Sequence, residues 1–167
     1  DEYNPATDPY LEKKYDSTTL ERRVENKLAL QKKSGLPQTP DIPLFGMVSR
    51  LEEQKGIDLL LQAIDQFIVQ TRAQLVIVGE GREHYHQLLI GVAQKHPHRL
   101  SALIANDERL ARLIYSGCDL FLMPSRFEPC GLGQLIAMRY GAIPVVRHTG
   151  GLADTVKDVA EGNGNGF

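Results

Sequence analysis

Only two cysteines, Cys118 and Cys130, occur in the 167 residues. So few thiols suit a reducing compartment such as the cytoplasm. The residues between them read as one buried strand and its turn, which argues against a disulfide. No apolar run approaches the roughly 20 residues that a membrane span requires, and the chain does not open on a signal-peptide pattern. An excess of one charge is also missing. The formal net charge is −2, with both signs interspersed, so no long-range field draws the chain to nucleic acid or to an acidic membrane. Internal repeats and low-complexity tracts are absent. What remains is an ordinary globular balance, 42% hydrophobic and 24% charged. That suffices for one domain with a sizeable core, or for part of a larger enzyme.

The chain divides near residue 40. Residues 1–16, "DEYNPATDPYLEKKYD", are polar, carry two prolines and lack periodicity, so they read as a connector or an extended surface arm. A helix is expected next, with Thr18 and Glu21 as a capping box, Lys32 and Lys33 in its last turn, and Gly35 and Pro37 stopping it. Residues 41–167 then alternate. Strands are expected at 43–49, 74–79, 99–104, 119–124 and 143–147, and helices at 56–70, 82–95, 107–117, 131–141 and 151–158, with a loop over 162–167. Five strands, each followed by a helical pattern, predict an α/β domain: a Rossmann-like, doubly wound parallel sheet covered on both faces. A closed barrel needs eight such units, and the chain is too short for them.

In such a sheet the strand-to-helix loops share the carboxyl edge, where ligands bind. The unusual residues fall in those loops: "SRLEEQKG" (49–56), "GEGRE" (79–83), "SRFEPCGLG" (125–133) and "HTGGLADT" (148–155). Arg50 and Lys55 supply two cations. Gly131 and Gly133 open one helix and Gly150 and Gly151 another, where unpaired N–H groups and the helix dipole favour an anion. Each helix end contributes about 0.3–1 kcal/mol and a charge-assisted hydrogen bond about 1.5–3 kcal/mol. The combination suits a diphosphate better than a single carboxylate.

Glu128 is held between Arg126 and Pro129, and the proline limits the backbone on both sides of the bond they share. It either pairs with Arg126 at the surface or is aimed at a ligand. With Glu52 and Glu53 as the only loop acids that could serve as a second carboxylate, both looking solvated, it suits holding a sugar hydroxyl better than the two-carboxylate chemistry of a hydrolase. Cys130 lacks a His–Asn partner pattern and reads as a small residue packed under a turn. His84, His86, His96, His98 and His148 lack cysteine or carboxylate partners at ligand spacing, so no metal is expected; only His148 lies in a candidate loop. "GEGRE" is a weak dinucleotide signal, since His84 stands where G-x-G-x-x-G needs its third glycine. A tight turn is the reading preferred for it.

"SRLEEQKGIDLL", "PSRFEPCGLGQLIAMRYGAIPVV", "RHTGGLADTV" and the opening "YNPATDPYL" resemble the carboxyl-terminal domain and domain connector of bacterial and plastid glycogen/starch synthases. The resemblance implies one half of a GT-B glycosyltransferase. Its donor would be ADP-glucose, with no further cofactor. Its acceptor would be the non-reducing end of an α-1,4-glucan, brought by a separate amino-terminal domain, and transfer would proceed with retention. It also implies that Arg50 and Lys55 neutralise the departing diphosphate and that Glu128 contacts the glucose hydroxyls. The backbone at Cys130, Gly131 and Leu132 would cradle the sugar, Gly133 would begin the phosphate-facing helix, and Gly150 and Gly151 would shape the fifth loop. A cytoplasmic or plastid location follows from the same likeness. Ile136 stands where related retaining transferases place a second Glu, and Asn106 where many synthases place a Tyr near the base. A non-catalytic nucleotide-sugar module and another retaining GT-B transferase, such as a sucrose synthase, are the alternatives.

Overall fold

The computed structural model describes residues 2–167. After a 3₁₀ turn at Leu20–Arg22, the elements run α1 (Arg23–Lys33), β1 (Leu44–Val48), α2 (Ile57–Gln70), β2 (Gln74–Gly79), α3 (Glu83–Lys95), β3 (Leu100–Ile104), α4 (Glu108–Gly117), β4 (Leu120–Met123), α5 (Gly133–Arg139), β5 (Ile143–Val146) and α6 (Gly150–Thr155). All strand pairs are parallel, in the order β3-β2-β1-β4-β5. The winding therefore reverses between β1 and β4, and their carboxyl ends diverge into a crevice.

The period-2 alternation of side chains makes the two core layers. On β2, Leu75 and Ile77 join Met47, Ile57, Ile64 and Leu89 under α2 and α3. Val76 and Val78 face the other way, with Leu30, Ile114, Phe121 and Tyr140 under α1, α4 and α5. A strand buried on both faces must be apolar at successive positions, as "QLVIVG" nearly is.

The amino-terminal segment corrects the expectation of a surface arm. Leu11 and Tyr15 are buried in the core, and the Tyr15 hydroxyl donates to the Tyr140 carbonyl at 2.8 Å. Asp8 is buried with them, accepting from the Tyr140 hydroxyl and pairing with buried Arg112 at 3.4 Å. A buried carboxylate persists only with such partners. The capping box is also absent: no side chain caps the turn before α1. Asp16 instead accepts from Thr18 N and from the hydroxyls of Thr18 and Thr19, a local bond that competes with helical geometry. The far end follows expectation. Gly35 adopts φ +71°, its N–H meets Lys32 O, and Leu36 N meets Gln31 O at 2.8 Å, a Schellman ending. At the carboxyl end, Phe167 N donates to Pro144 O at 3.0 Å and Val146 N to Phe167 O at 2.8 Å, so the expected loop is stitched to β5.

Candidate active site

The crevice is built from the first, fourth and fifth strand-to-helix loops, joined to one another before any ligand enters. The chain leaves β1, makes a 3₁₀ turn at Glu53–Lys55, and enters α2 through Gly56 at φ +74°. A Cβ there would lie 2.1 Å from the Pro124 carbonyl oxygen, so only glycine lets the first loop press on the fourth. Arg126 N then donates to Gln54 O at 2.8 Å, and Gln54 Nε2 reaches Phe127 O at 3.4 Å. The Lys55 ammonium meets the Glu128 carboxylate at 2.7 Å, with side chains only 17% and 12% exposed. Arg126 pairs with Asp58 in the first turn of α2. The surface pairing of Arg126 with Glu128 therefore does not form.

The fifth loop closes on the other side. Gly151 N donates to Glu128 O at 3.0 Å. A Cβ on Gly150 would sit 2.3 Å from Glu128 O, and one on Gly151 2.3 Å from Cys130 O. The glycine pair thus lets two backbones touch. The Gly151 N–H is spent on that contact, so it is not offered to an anion as the sequence reading expected.

Two cavities open along the carboxyl edge and share Val48, Ser49 and Arg50. The smaller, about 260 Å³, lies at the point where the winding reverses; Lys55, Ser125, Glu128, Leu132 and Gly133 line it with Arg50. The larger, about 790 Å³, lies over the ends of β1, β2 and β3 and is lined by Glu80, Gly81, His86, Asn106 and Asp107. Arg50 stands between the two with its side chain 65% exposed, 3.3 Å from Glu52, so Glu52 is its partner rather than a free solvated acid. Arg50, Lys55, Glu128, Leu132 and Gly133 thus converge on one chamber, and Asn106 falls in the adjoining one.

Other expectations change. Cys130 is exposed rather than packed under its turn, while Cys118 is the buried thiol, pushed up to about 12 by burial. His148 is exposed and does not line either cavity. The glycines of "GEGRE" do not make a tight turn. A Cβ on Gly79 would lie 1.8 Å from Ser49 O and one on Gly81 2.3 Å from Leu51 O, so they are small because the first loop runs alongside them. Among the described residues no group of three His, Cys, Asp or Glu side chains could hold a metal, and no helix is long and apolar enough to cross a membrane.

Several residues that shape the site were not legible as such. Asp58 reads as an ordinary first-turn acid, yet the Arg126 hydrogen bond holds its carboxyl below the usual 3.8. His86 looks like a helix-surface histidine, yet its Nε2 accepts from Gly81 N at 3.0 Å and steadies a wall of the larger chamber. Gln134 reads as an outward helical residue but is wholly buried.

A parallel sheet wound in two directions, with a cation–carboxylate pair in the crevice where the winding reverses, defines an α/β domain of the kind that binds ligands at its carboxyl edge. A family model described as "Glycosyl transferases group 1" matches residues 26–167, and the chain belongs to that family. Its similar relatives are glycogen synthases: that of Trichodesmium erythraeum is 52% identical over 92% of this chain and 34% of the relative. That of Kosmotoga olearia is 52% identical over 99% and 35%. Among solved structures, the catalytic domain of starch synthase IV from Arabidopsis thaliana, bound to ADP and acarbose, superposes with a TM-score of 0.87 at 42% identity, covering 94% of this chain and 32% of that one. Sucrose-phosphate synthase from Thermosynechococcus elongatus gives 0.61 at 26% identity over 77% of this chain and 33% of that one. The chain thus spans about a third of the length of these proteins.

Proposed function

We propose that this chain is the nucleotide-sugar-binding half of a glycogen or starch synthase. In the two-domain protein it transfers glucose from ADP-glucose to the non-reducing end of an α-1,4-glucan, with retention at the anomeric carbon. The observation that carries this reading is the Lys55–Glu128 pair, 2.7 Å apart, in a chamber that opens past Arg50 into a larger one. A sugar diphosphate presents hydroxyls at one end and anionic oxygens at its centre, with a nucleoside beyond. The smaller chamber suits the sugar, with Glu128 accepting from its hydroxyls and Leu132 lining it beside the Cys130–Gly131 turn, which does not itself line the cavity. Lys55, Arg50 and the first amides of α5 at Gly133, which lack intrahelical partners, face the diphosphate. The nucleoside extends into the larger chamber past Asn106, and Gly150 and Gly151 hold the fourth loop in place. ADP bound to the similar starch synthase supports adenine as the base.

These residues supply charge stabilisation and positioning rather than a covalent intermediate. As the glycosidic bond breaks, Lys55 and Arg50 take up negative charge on the leaving diphosphate. That same phosphate, left on the face it departed from, receives the proton of the incoming glucan hydroxyl. The acceptor belongs to a second domain, and the chain by itself binds nucleotide weakly and transfers little glucose. A cytoplasmic or plastid setting fits this role.

The test is donor competition in the full-length protein, with maltooligosaccharide as acceptor and the anomer of the new linkage read by NMR. Preference for ADP-glucose and an α-linked product are expected. The likeness to sucrose-phosphate synthase favours one second reading, a different retaining transferase. Faster turnover of UDP-glucose with a small-sugar acceptor would establish it in place of the first. Calorimetry of this chain with ADP, UDP and ADP-glucose checks the base independently.

A further inference from the structure

The turn at residues 128–131 is held from behind by two side chains that do not enter the cavity. Gln134, in the first turn of α5, is wholly buried, and its side chain folds back toward the loop it follows. Its Nε2 donates to Thr155 Oγ1 at 3.1 Å and to the Cys130 and Gly131 carbonyls at 3.2 and 3.1 Å, three acceptors sharing two hydrogens. Thr155 Oγ1 in turn donates to Gly151 O at 2.7 Å, while Gly151 N donates to Glu128 O at 3.0 Å. The bonds close a ring: Glu128 backbone, Gly151, Thr155, Gln134, and back to the turn two residues beyond Glu128.

The chemistry of the ring dictates the residue types. Two of the groups around Nε2 are carbonyls, which only accept, and the Thr155 hydroxyl has already committed its proton to Gly151. A donor with two hydrogens is therefore required at 134, and a carboxylate there would face acceptors alone. Among the described residues the Gln134 Oε1 is buried without a hydrogen-bond partner. Such an orphan acceptor is a cost, which points to a side chain kept for what its amide nitrogen holds rather than for packing.

We infer that Gln134 and Thr155 are positioning residues for sugar transfer: they fix the 128–131 turn so that Glu128 stays on Lys55 and Leu132 keeps its place in the wall of the smaller chamber. This rests on the reading of that chamber as the sugar site. Neither side chain lines the cavity, so they act through the turn.

The test uses Gln134→Met and Thr155→Val, which keep size and remove the donors, and Thr155→Ser, which keeps the hydroxyl, all in the full-length protein. Donor kcat/KM is expected to fall at least tenfold in the first two and to stay within twofold in Thr155→Ser, with the acceptor KM unchanged. Amide hydrogen exchange at Gly151 is expected to quicken at least tenfold in the same two variants, while the β2 amides of Val76 and Val78 keep their protection. Unchanged exchange at Gly151 overturns the bracket. Faster exchange with transfer still within twofold overturns its role in positioning. If Gln134→Met fails to fold, the two variants at half-buried Thr155 decide the matter. A wild-type protein that transfers no sugar overturns the proposed function instead, and the bracket then stands or falls on the exchange rates alone.

Discussion

Removing the Lys55–Glu128 pair in stages separates its structural from its chemical contribution. The two groups meet at 2.7 Å with side chains 17% and 12% exposed, more enclosed than a surface pair, worth about 0–1 kcal/mol, yet not fully dry. Deleting one partner of a fully buried pair costs about 3–5 kcal/mol, because the other charge is stranded. Lys55→Met is accordingly expected to destabilise the domain by about 2 kcal/mol, between those limits. At this chain length that lowers the midpoint of thermal unfolding by roughly 4–8 °C. Glu128→Gln strands the ammonium instead, and the longer lysine stem reaches solvent more easily, so the loss is smaller. In the double variant neither charge remains, and most of the stability returns, since replacing both partners of a buried pair is often nearly neutral. Activity follows a different course. In the full-length protein each single variant and the double are expected to lose at least tenfold in kcat/KM, about 1.4 kcal/mol of transition-state stabilisation. Calorimetry of this chain and steady-state kinetics of the complete protein measure the two cycles. If the double variant regained both stability and activity to within twofold of wild type, the pair would be a structural rivet and its place in the chemistry would be refuted.

Gly150→Ala places a methyl group 2.3 Å from Glu128 O at a backbone φ of +46°, so a loss of about 1–3 kcal/mol is expected in urea unfolding, together with reduced nucleotide binding as the fourth loop is pushed away. Asp58 is held below its ordinary 3.8, first by the Arg126 hydrogen bond, against the opposing effect of burial, and then by the Arg126 charge. Its folded value is the lower one, so its stabilisation is complete above 3.8 and lost as pH falls through the depressed value. Asp58→Asn should therefore flatten the acid side of the stability curve, seen as urea midpoints that change less with pH below about 4. Alkylation of the folded protein at neutral pH should label Cys130 alone, because Cys118 is buried with its thiol raised to about 12. Mass spectrometry finding rapid labelling of Cys118 would show that α4 opens from β1.

Local spacing carried the architecture. "QLVIVG" must be a strand covered on both faces, and "GIDLLLQAIDQFIVQ" must be a helix with one apolar stripe, whatever surrounds them. Right-handed crossovers then put every strand-to-helix loop on one edge, and Arg50, Lys55 and Glu128 could be expected on a common rim. The polar residues that anchor elements hide which of their faces are buried. Helix α1 buries Asn26, Lys27 and Gln31, each meeting a hydrogen-bond partner across the fold, so its inner face does not look apolar. Asp8 was legible only as a solvated charge until Arg112 and Tyr140, more than 100 residues away, were beside it.

By itself the sequence determined the order of strands and helices and the edge on which chemistry could occur, because periodicity and turn residues act within a few positions of themselves. The tertiary structure decided the partners: Glu128 with Lys55 rather than with Arg126, and Arg126 with Asp58. Those choices depend on β4 lying beside β1. That neighbour relation brings loops about seventy residues apart into hydrogen-bonding range, and no local pattern encodes it.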